Sequence, residues 1–525
     1  MPEFGCVAKA MEDQVKRVVI VGGGTAGWLT AAVLAARHGA NSRLSVTVLE
    51  SPDVSPVGVG EGTWPSMRDT LRRIGVGETD FIRSCDATMK QGSLFVDWCR
   101  GDDADAYMHP FTLPQGYLEA DLVAGWLESP DRAYAEQVSF QPQLCAAGCA
   151  PKQFATPEFA AVANYAYHLD AGKFGRFLRE HCVDRLGVRH LADHMLAVNA
   201  DEQGDIASVR TREHGDLEGD LFVDCTGARA LLLGEHYGIE RVDVRGVLFN
   251  DRAMAVQIPY ARPDAPIACQ TISTARANGW IWDIGLSARR GIGFVYSSAH
   301  TSDEQAAATM EDYIRHSGGS GGDDPPNPRR IAFEPGYRRQ SWHRNCVAIG
   351  LSAGFVEPLE ASSLALVELG AAALADQFPA TRSDMQRISR RFNDAFAYRW
   401  QRVVDFLKLH YVLSRRGDSA YWRDHRGDAT IPDTLKDLLD SWRYRPPSRY
   451  DFTRVDEVFP SASYQYVLYG MGFRPEHHTP GLADEVRKAR DCFRQAADLG
   501  QRMRAALPTH RALIDHVTTR GLPKI

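Results

Sequence analysis

The chain has no apolar run approaching the roughly 20 residues that a membrane-spanning helix needs, so no membrane partner is expected. It has no basic excess either: 60 Lys and Arg stand against 67 Asp and Glu, a net charge of −7. Phosphate binding demands a basic face, which removes nucleic acid from the expected partners. The ten cysteines are scattered, and Cys145 with Cys149 has no second pair beside it, so no metal site is predicted. Free thiols suit a reducing compartment, and a cytoplasmic location is expected. Repeats are lacking, and the one low-complexity tract, residues 317–328, reads as a loop. Residues 1–14 lack the charged, apolar and small-residue order of a signal peptide and read as a disordered leader.

What is present is length and one dominant motif. A chain of 525 residues, 44% hydrophobic, can bury more than one sizeable core. Arg17-Val-Val-Ile-Val-Gly-Gly-Gly-Thr-Ala-Gly27 is a β-branched run closed by glycines at 22, 24 and 27. That spacing predicts the strand, turn and helix of a dinucleotide site. Gly22 permits the tight turn, Gly24 lets the backbone approach a pyrophosphate, and Gly27 lets the helix pack on the strand. The helix, predicted over 28–37, offers free N–H groups and a positive dipole end to the diphosphate. A second strand over 44–49 ends at Glu50, where a carboxylate grips a ribose hydroxyl.

Further stretches fit the same plan. Glycines 58, 60 and 62 would let residues 56–65 lie against a flat ligand. A later apolar strand ends in Asp224-Cys-Thr-Gly227 and belongs beside the first one, and another over 345–350 ends at Gly350. Helices are predicted over 66–74 and 79–89, a β-meander over 188–224, and alternating strands over 270–296. From residue 383 apolar residues recur at helical spacing. The predicted class is α/β, with a Rossmann-like unit over 15–400 interleaved with a β-sheet substrate region. A mainly helical subdomain is expected over 401–525.

Taken singly, the remaining polar residues have plain readings. Lys90, placed between the predicted helix and a strand, reads as a solvated lysine. Glu360 reads as a carboxylate stabilising a helix start, with Glu357 competing for any role. Trp280 and Trp282, at i and i+2, share a strand face and read as core.

Together the motifs say more. The glycine turn, Gly58-Val-Gly-Glu-Gly-Thr, Ala87-Thr-Met-Lys-Gln-Gly92, Tyr167-His-Leu-Asp170, Asp224-Cys-Thr-Gly227, Gly279-Trp-Ile-Trp-Asp-Ile284, Gly354-Phe-Val-Glu-Pro-Leu-Glu360 and Asp405-Phe-Leu-Lys-Leu-His-Tyr411 occur in one order. This set resembles the flavin-dependent halogenases of the tryptophan-halogenase type over residues 17–475. The resemblance implies a flavin monooxygenase-type fold holding FAD at Gly22, Gly24, Thr25, Ala26, Gly27, Glu50, Gly60, Gly227 and Gly350. It implies a separate flavin reductase that supplies FADH2, and oxidation of chloride or bromide to hypohalous acid. Lys90 would hold or carry that species beside a small aromatic substrate, and Glu360 would orient it or take the ring proton. An ammonium can polarise the oxidant and a nearby carboxylate can act as base. Trp280 and Trp282 look like a wall between flavin and substrate, and backbone N–H groups around Ser362 and Ser363 match the halide site. A homodimer is expected by the same resemblance.

Two departures matter. Gly285 stands where the signature closes with proline, and Ala361-Ser362-Ser363 replaces the usual Ser-Thr-Gly. The second alters the halide pocket and favours bromide. No match to the segment that grips the amino-acid ends of free tryptophan is present, so indoles and other electron-rich aromatics stand beside tryptophan as substrates. The alternatives are a flavin monooxygenase that transfers oxygen directly and an inactive flavin-binding protein.

Overall fold

The computed structural model describes residues 13–39, 44–54, 60–101, 105–318, 328–476 and 483–524. Gly58 and most of the 317–328 tract lie outside the described residues, as do residues 1–12 of the expected leader. Gln14, assigned to that leader, bridges Thr381, and the Val15 amide donates to the Ala380 carbonyl at 3.1 Å.

The β-branched run forms the strand Arg17–Val21 near the middle of a six-stranded sheet. Val18 and Ile20 enter one core and Val19 and Val21 another, which is why the run is apolar at every position. Ser45–Glu50 lies parallel on one side, with Val21 opposite Leu49. Leu221–Asp224 lies parallel on the other, with Val21 opposite Asp224, as expected of the returning strand. Helix Thr25–His38 starts three residues ahead of the predicted 28.

A second, seven-stranded sheet contains Arg252–Pro259, Arg289–Tyr296, Gly279–Gly285, Thr271–Arg276, Gly92–Val96 and Ala106–Pro110 as successive neighbours, with Arg329–Ala332 at one edge. Trp280 belongs to the large core on one face and Ile281 to a separate core on the other. The period-two alternation is thus realised across a sheet buried on both sides.

Four expectations change. Residues 79–89 do not form one helix: Glu78–Ser84 is helical, Asp86 takes φ +49°, and Thr88–Lys90 is a strand. Lys90 pairs with Ala166 and is buried, not solvated. Within 188–224, only Met195–Ala200, Ile206–Thr211 and Asp216–Glu218 form an antiparallel meander; Arg189–Ala192 extends the main sheet in parallel. The boundary expected at 400/401 falls inside one 32-residue helix, Arg382–Leu413. Its buried face, from Met385 through Phe392, Phe396 and Val403 to Tyr411, is continuous across that point.

No described helix is long and apolar enough to cross a membrane. The nine described cysteines are free and buried.

Candidate active site

The nucleotide turn is built as its glycines require. Gly22 has φ +114°, and a Cβ there would stand 2.2 Å from the Cys225 carbonyl oxygen. A Cβ on Gly27 would stand 1.9 Å from the Gly22 carbonyl oxygen, so helix and turn touch only because both lack side chains. Gly24 differs: a Cβ there would meet nothing within 4 Å. Open space lies at the glycine assigned to pyrophosphate, and closed space at the one assigned to the tight turn and the one assigned to helix packing. Gly350, at φ +84°, backs onto Ala26, and Thr25 opens the helix. Gly227, at φ +74°, also faces open space. Its loop is shaped by Asp224, whose carboxylate accepts from the Thr226, Leu232 and Leu233 amides. Glu50 ends its strand beside Gly23, with His190 Nε2 at 2.8 Å. A Cβ on Gly60 would meet Ile284, at the end of the tryptophan strand, and the Leu169 carbonyl. The turn, the open positions and the terminal carboxylate fit a dinucleotide such as FAD.

The second cluster forms where three elements converge on Gly62. A Cβ there would lie 3.3 Å from both Lys90 Nζ and the Ala361 Cβ, and 3.7 Å from His168. Lys90 is 1% exposed, makes no side-chain hydrogen bond to a described residue, and carries its ammonium over the Phe111 ring at 5.3 Å. Burial pulls its pKa down to about 8, while Glu360 opposes the shift.

Glu360 is fixed from every side. Its carboxylate lies 2.8 Å from His109 Nδ1 and 3.5 Å from His410 Nε2. The Trp64 indole donates to its carbonyl at 2.8 Å. Burial alone would raise its pKa, but the two histidines outweigh burial and hold the carboxyl well below the usual range. Glu360 and Ala361 both lie in the left-handed region, at φ +64° and +56°. Two such non-glycine residues cost about 1–2 kcal/mol each, a strain that clusters at functional sites. They turn the chain into the helix Ser362–Asp376, whose first-turn amides, those of Ser362 and Ser363 among them, have no partner within that helix.

Glu357 takes no part in that cluster. Its Oε2 accepts from Trp280 Nε1, the Tyr411 hydroxyl and Asn250 Nδ2, each at 2.7 Å for the Trp280, Tyr411 and Asn250 contacts. Trp280 and Trp282 stand with ring centroids 6.3 Å apart, and Trp282 lies over Gly293. Gly285, the departure from proline, has no room for a side chain: a Cβ would stand 2.9 Å from Ile267 and from the Tyr260 hydroxyl.

His109 and His410 are the functional neighbours that sequence reasoning missed. Tyr107 and His109 alternate on the strand Ala106–Pro110, so both face the cluster, the Tyr107 hydroxyl reaching His410 Nδ1 at 2.5 Å. His410 sits in a quoted motif without a role, and His109 in a tract without a clear period.

A nucleotide turn on one sheet and a buried lysine near a buried carboxylate fit a flavin-linked enzyme, and the comparisons agree. The chain belongs to the tryptophan halogenase family, whose profile, described as Tryptophan halogenase, matches residues 17–487. It is 35% identical over 518 residues to the 7-chloro-L-tryptophan 6-halogenase KtzR of Kutzneria sp. (strain 744), covering 94% of this chain and 98% of that protein. The crystal structure of a tryptophan halogenase from Shewanella frigidimarina NCIMB 400 superposes with a TM-score of 0.95 at 47% identity, covering 98% of this chain and 100% of that one. BrvH, a flavin-dependent halogenase from Brevundimonas sp. BAL3, gives a TM-score of 0.83 at 37% identity, over 96% of this chain and 99% of that one.

Proposed function

We propose that the protein halogenates an electron-rich aromatic of the indole or tryptophan type, using FADH2 from a separate reductase, oxygen and bromide or chloride. The observation that carries this reading is the buried Lys90 ammonium, without a hydrogen-bond partner among the described residues, near the fixed Glu360 carboxylate. FAD would be held at Gly22, Gly24, Thr25, Ala26, Gly27, Glu50, Gly227 and Gly350, with Gly60 placed towards the tryptophan strand. When bound and reduced, the flavin supplies the two electrons with which oxygen converts halide to hypohalous acid.

The chain's residues do the rest. Lys90, cationic at neutral pH, donates a hydrogen bond to the oxygen of the hypohalous acid and polarises its O–X bond. The ring carbon forms the C–X bond as O–X breaks, and the departing hydroxide takes a proton from the Lys90 ammonium and leaves as water. Glu360, kept ionised by His109 and His410, accepts the ring proton. Trp280 and Trp282 keep the aromatic apart from the flavin, and the amides at Ser362 and Ser363 suit a halide. Named relatives that halogenate tryptophan or chlorotryptophan support the aromatic class. Incubation with reductase, NADH, FAD, either halide and indole or tryptophan should yield halogenated product by mass spectrometry. A hydroxylated product formed regardless of halide overturns the reading.

A further inference from the structure

His510 opens the helix His510–Thr519, beyond residue 487 where the family match ends. Its side chain is 1% exposed, yet it lies against the strand that carries Lys90. Among the described residues that strand, Thr88–Lys90, pairs only with Ala166–Leu169, along one edge, and its other edge has no strand partner. A buried amide left unpaired there would be destabilising. The Met89 amide instead donates to His510 Nε2 at 3.0 Å, while His510 Nδ1 lies 3.3 Å from the Ile267 carbonyl. One neutral tautomer satisfies both contacts, with Nδ1–H donating and Nε2 accepting.

The next outward amide, Gln91, donates to the Cys269 carbonyl at 2.7 Å, and the Gln91 side chain donates to the Cys149 carbonyl at 2.8 Å. The turn carrying Cys149 is tied to the same helix start: the His510 amide donates to Gly148 and the Ala150 amide to Pro508. Farther along, Arg83 Nε donates to the Val517 carbonyl and the Leu522 amide to Thr79 Oγ1. The C-terminal segment therefore grips the elements on both sides of Lys90.

The geometry points to His510 as a positioning residue for Lys90. Its imidazole completes the open edge of the lysine's strand and so fixes the ammonium against Gly62, Ala361 and Glu360. This role rests on the function proposed for Lys90, and the test separates the two. Full-length H510A, H510F, H510Q and K90A, each loaded with FAD and paired with a reductase, are compared for kcat, KM and labelling of Lys90 by an amine-selective reagent. Phenylalanine fills the imidazole volume without an acceptor, whereas glutamine can both accept and donate. H510A and H510F should lower kcat about tenfold or more, because small misplacements of a reacting group are costly. They should leave KM for the aromatic unchanged and raise Lys90 labelling, and H510Q should recover most of the wild-type behaviour. Wild-type kcat and labelling in H510F, with K90A inactive, overturn the positioning role. An active K90A overturns the reading of Lys90 itself. If H510A and H510F both unfold while H510Q is normal, the imidazole serves the whole fold and the specific role is overturned.

Discussion

Glu357 and Glu360 stand three residues apart and serve different neighbours. Glu357 takes the Trp280 indole N–H and two further donors, while Glu360 is flanked by His109 and His410. The left-handed backbone at 360 separates the two carboxylates. E357A should strand three buried donors and lower stability by about 3–5 kcal/mol, as breaking a buried charged network does. E360Q should slow halogenation on the order of 100-fold with flavin oxidation unaffected, the scale of a lost general base. Denaturant melts and product assays on the two variants check both outcomes, and a reversed pattern would exchange the two roles.

K90A should abolish halogenation while FAD binding is retained, since the lysine lies in a cluster separate from the glycine turn. Calorimetric FAD titration beside the product assay measures both.

The same lysine sets a pH limb. Its pKa is about 8, so it is cationic below that value and loses its charge above it. Halogenation should therefore fall as pH rises through about 8, while Glu360, held ionised, contributes no loss on the mildly acidic side. A pH–rate profile from 6 to about 10 is the measurement.

Gly24→Ala and Gly27→Ala should part company. Alanine at 24 meets no protein atom within 4 Å and has an ordinary extended backbone, so the variant should fold normally and bind FAD weakly. Alanine at 27 collides with the Gly22 carbonyl and should destabilise the fold itself. Thermal melts without FAD, followed by FAD titration, separate the effects.

Glu368 supplies a stability test away from the chemistry. Burial between its helix and the Ser66–Arg73 helix, where it accepts from Thr70 and Ser66, pushes its pKa up to about 8. The folded state then holds a proton that the unfolded chain releases from about pH 4.5, so this group's contribution to stability is full below 4.5 and is lost towards 8. E368Q should flatten that decline in melts recorded between pH 5 and 8.

The glycine turn, its strand and Glu50 were legible because each depends on local sterics: a β-branched run and three glycines leave few alternatives. The tryptophan strand was legible by period, since Ile281 and its two neighbours alternate between separate cores. Lys90 was not, because a lysine after a short apolar stretch looks the same whether buried or solvated. Only the pairing with Ala166, distant in sequence, decides it. His109 was hidden for a related reason: its meaning comes from Glu360 and Ser463, 251 and 354 residues away. The meander over 188–224 misled because parallel and antiparallel strands share one apolar pattern, and the partner of Arg189–Ala192 lies far upstream. The 400/401 boundary falls inside a helix because the helical spacing that begins at residue 383 runs on through it.

The strand bearing Trp280 and Trp282 is hydrogen-bonded along both flanks, to Thr271–Arg276 and to Arg289–Tyr296. Displacing it would break two ladders at once, and Trp280 is further pinned through Glu357. Under the proposed function this partition behaves as a fixed sieve and not as a swinging door. Passage between flavin and aromatic is then set by the size of the travelling species at rest, independent of any opening motion. Bulkier oxidants are thereby confined to the side on which they are made.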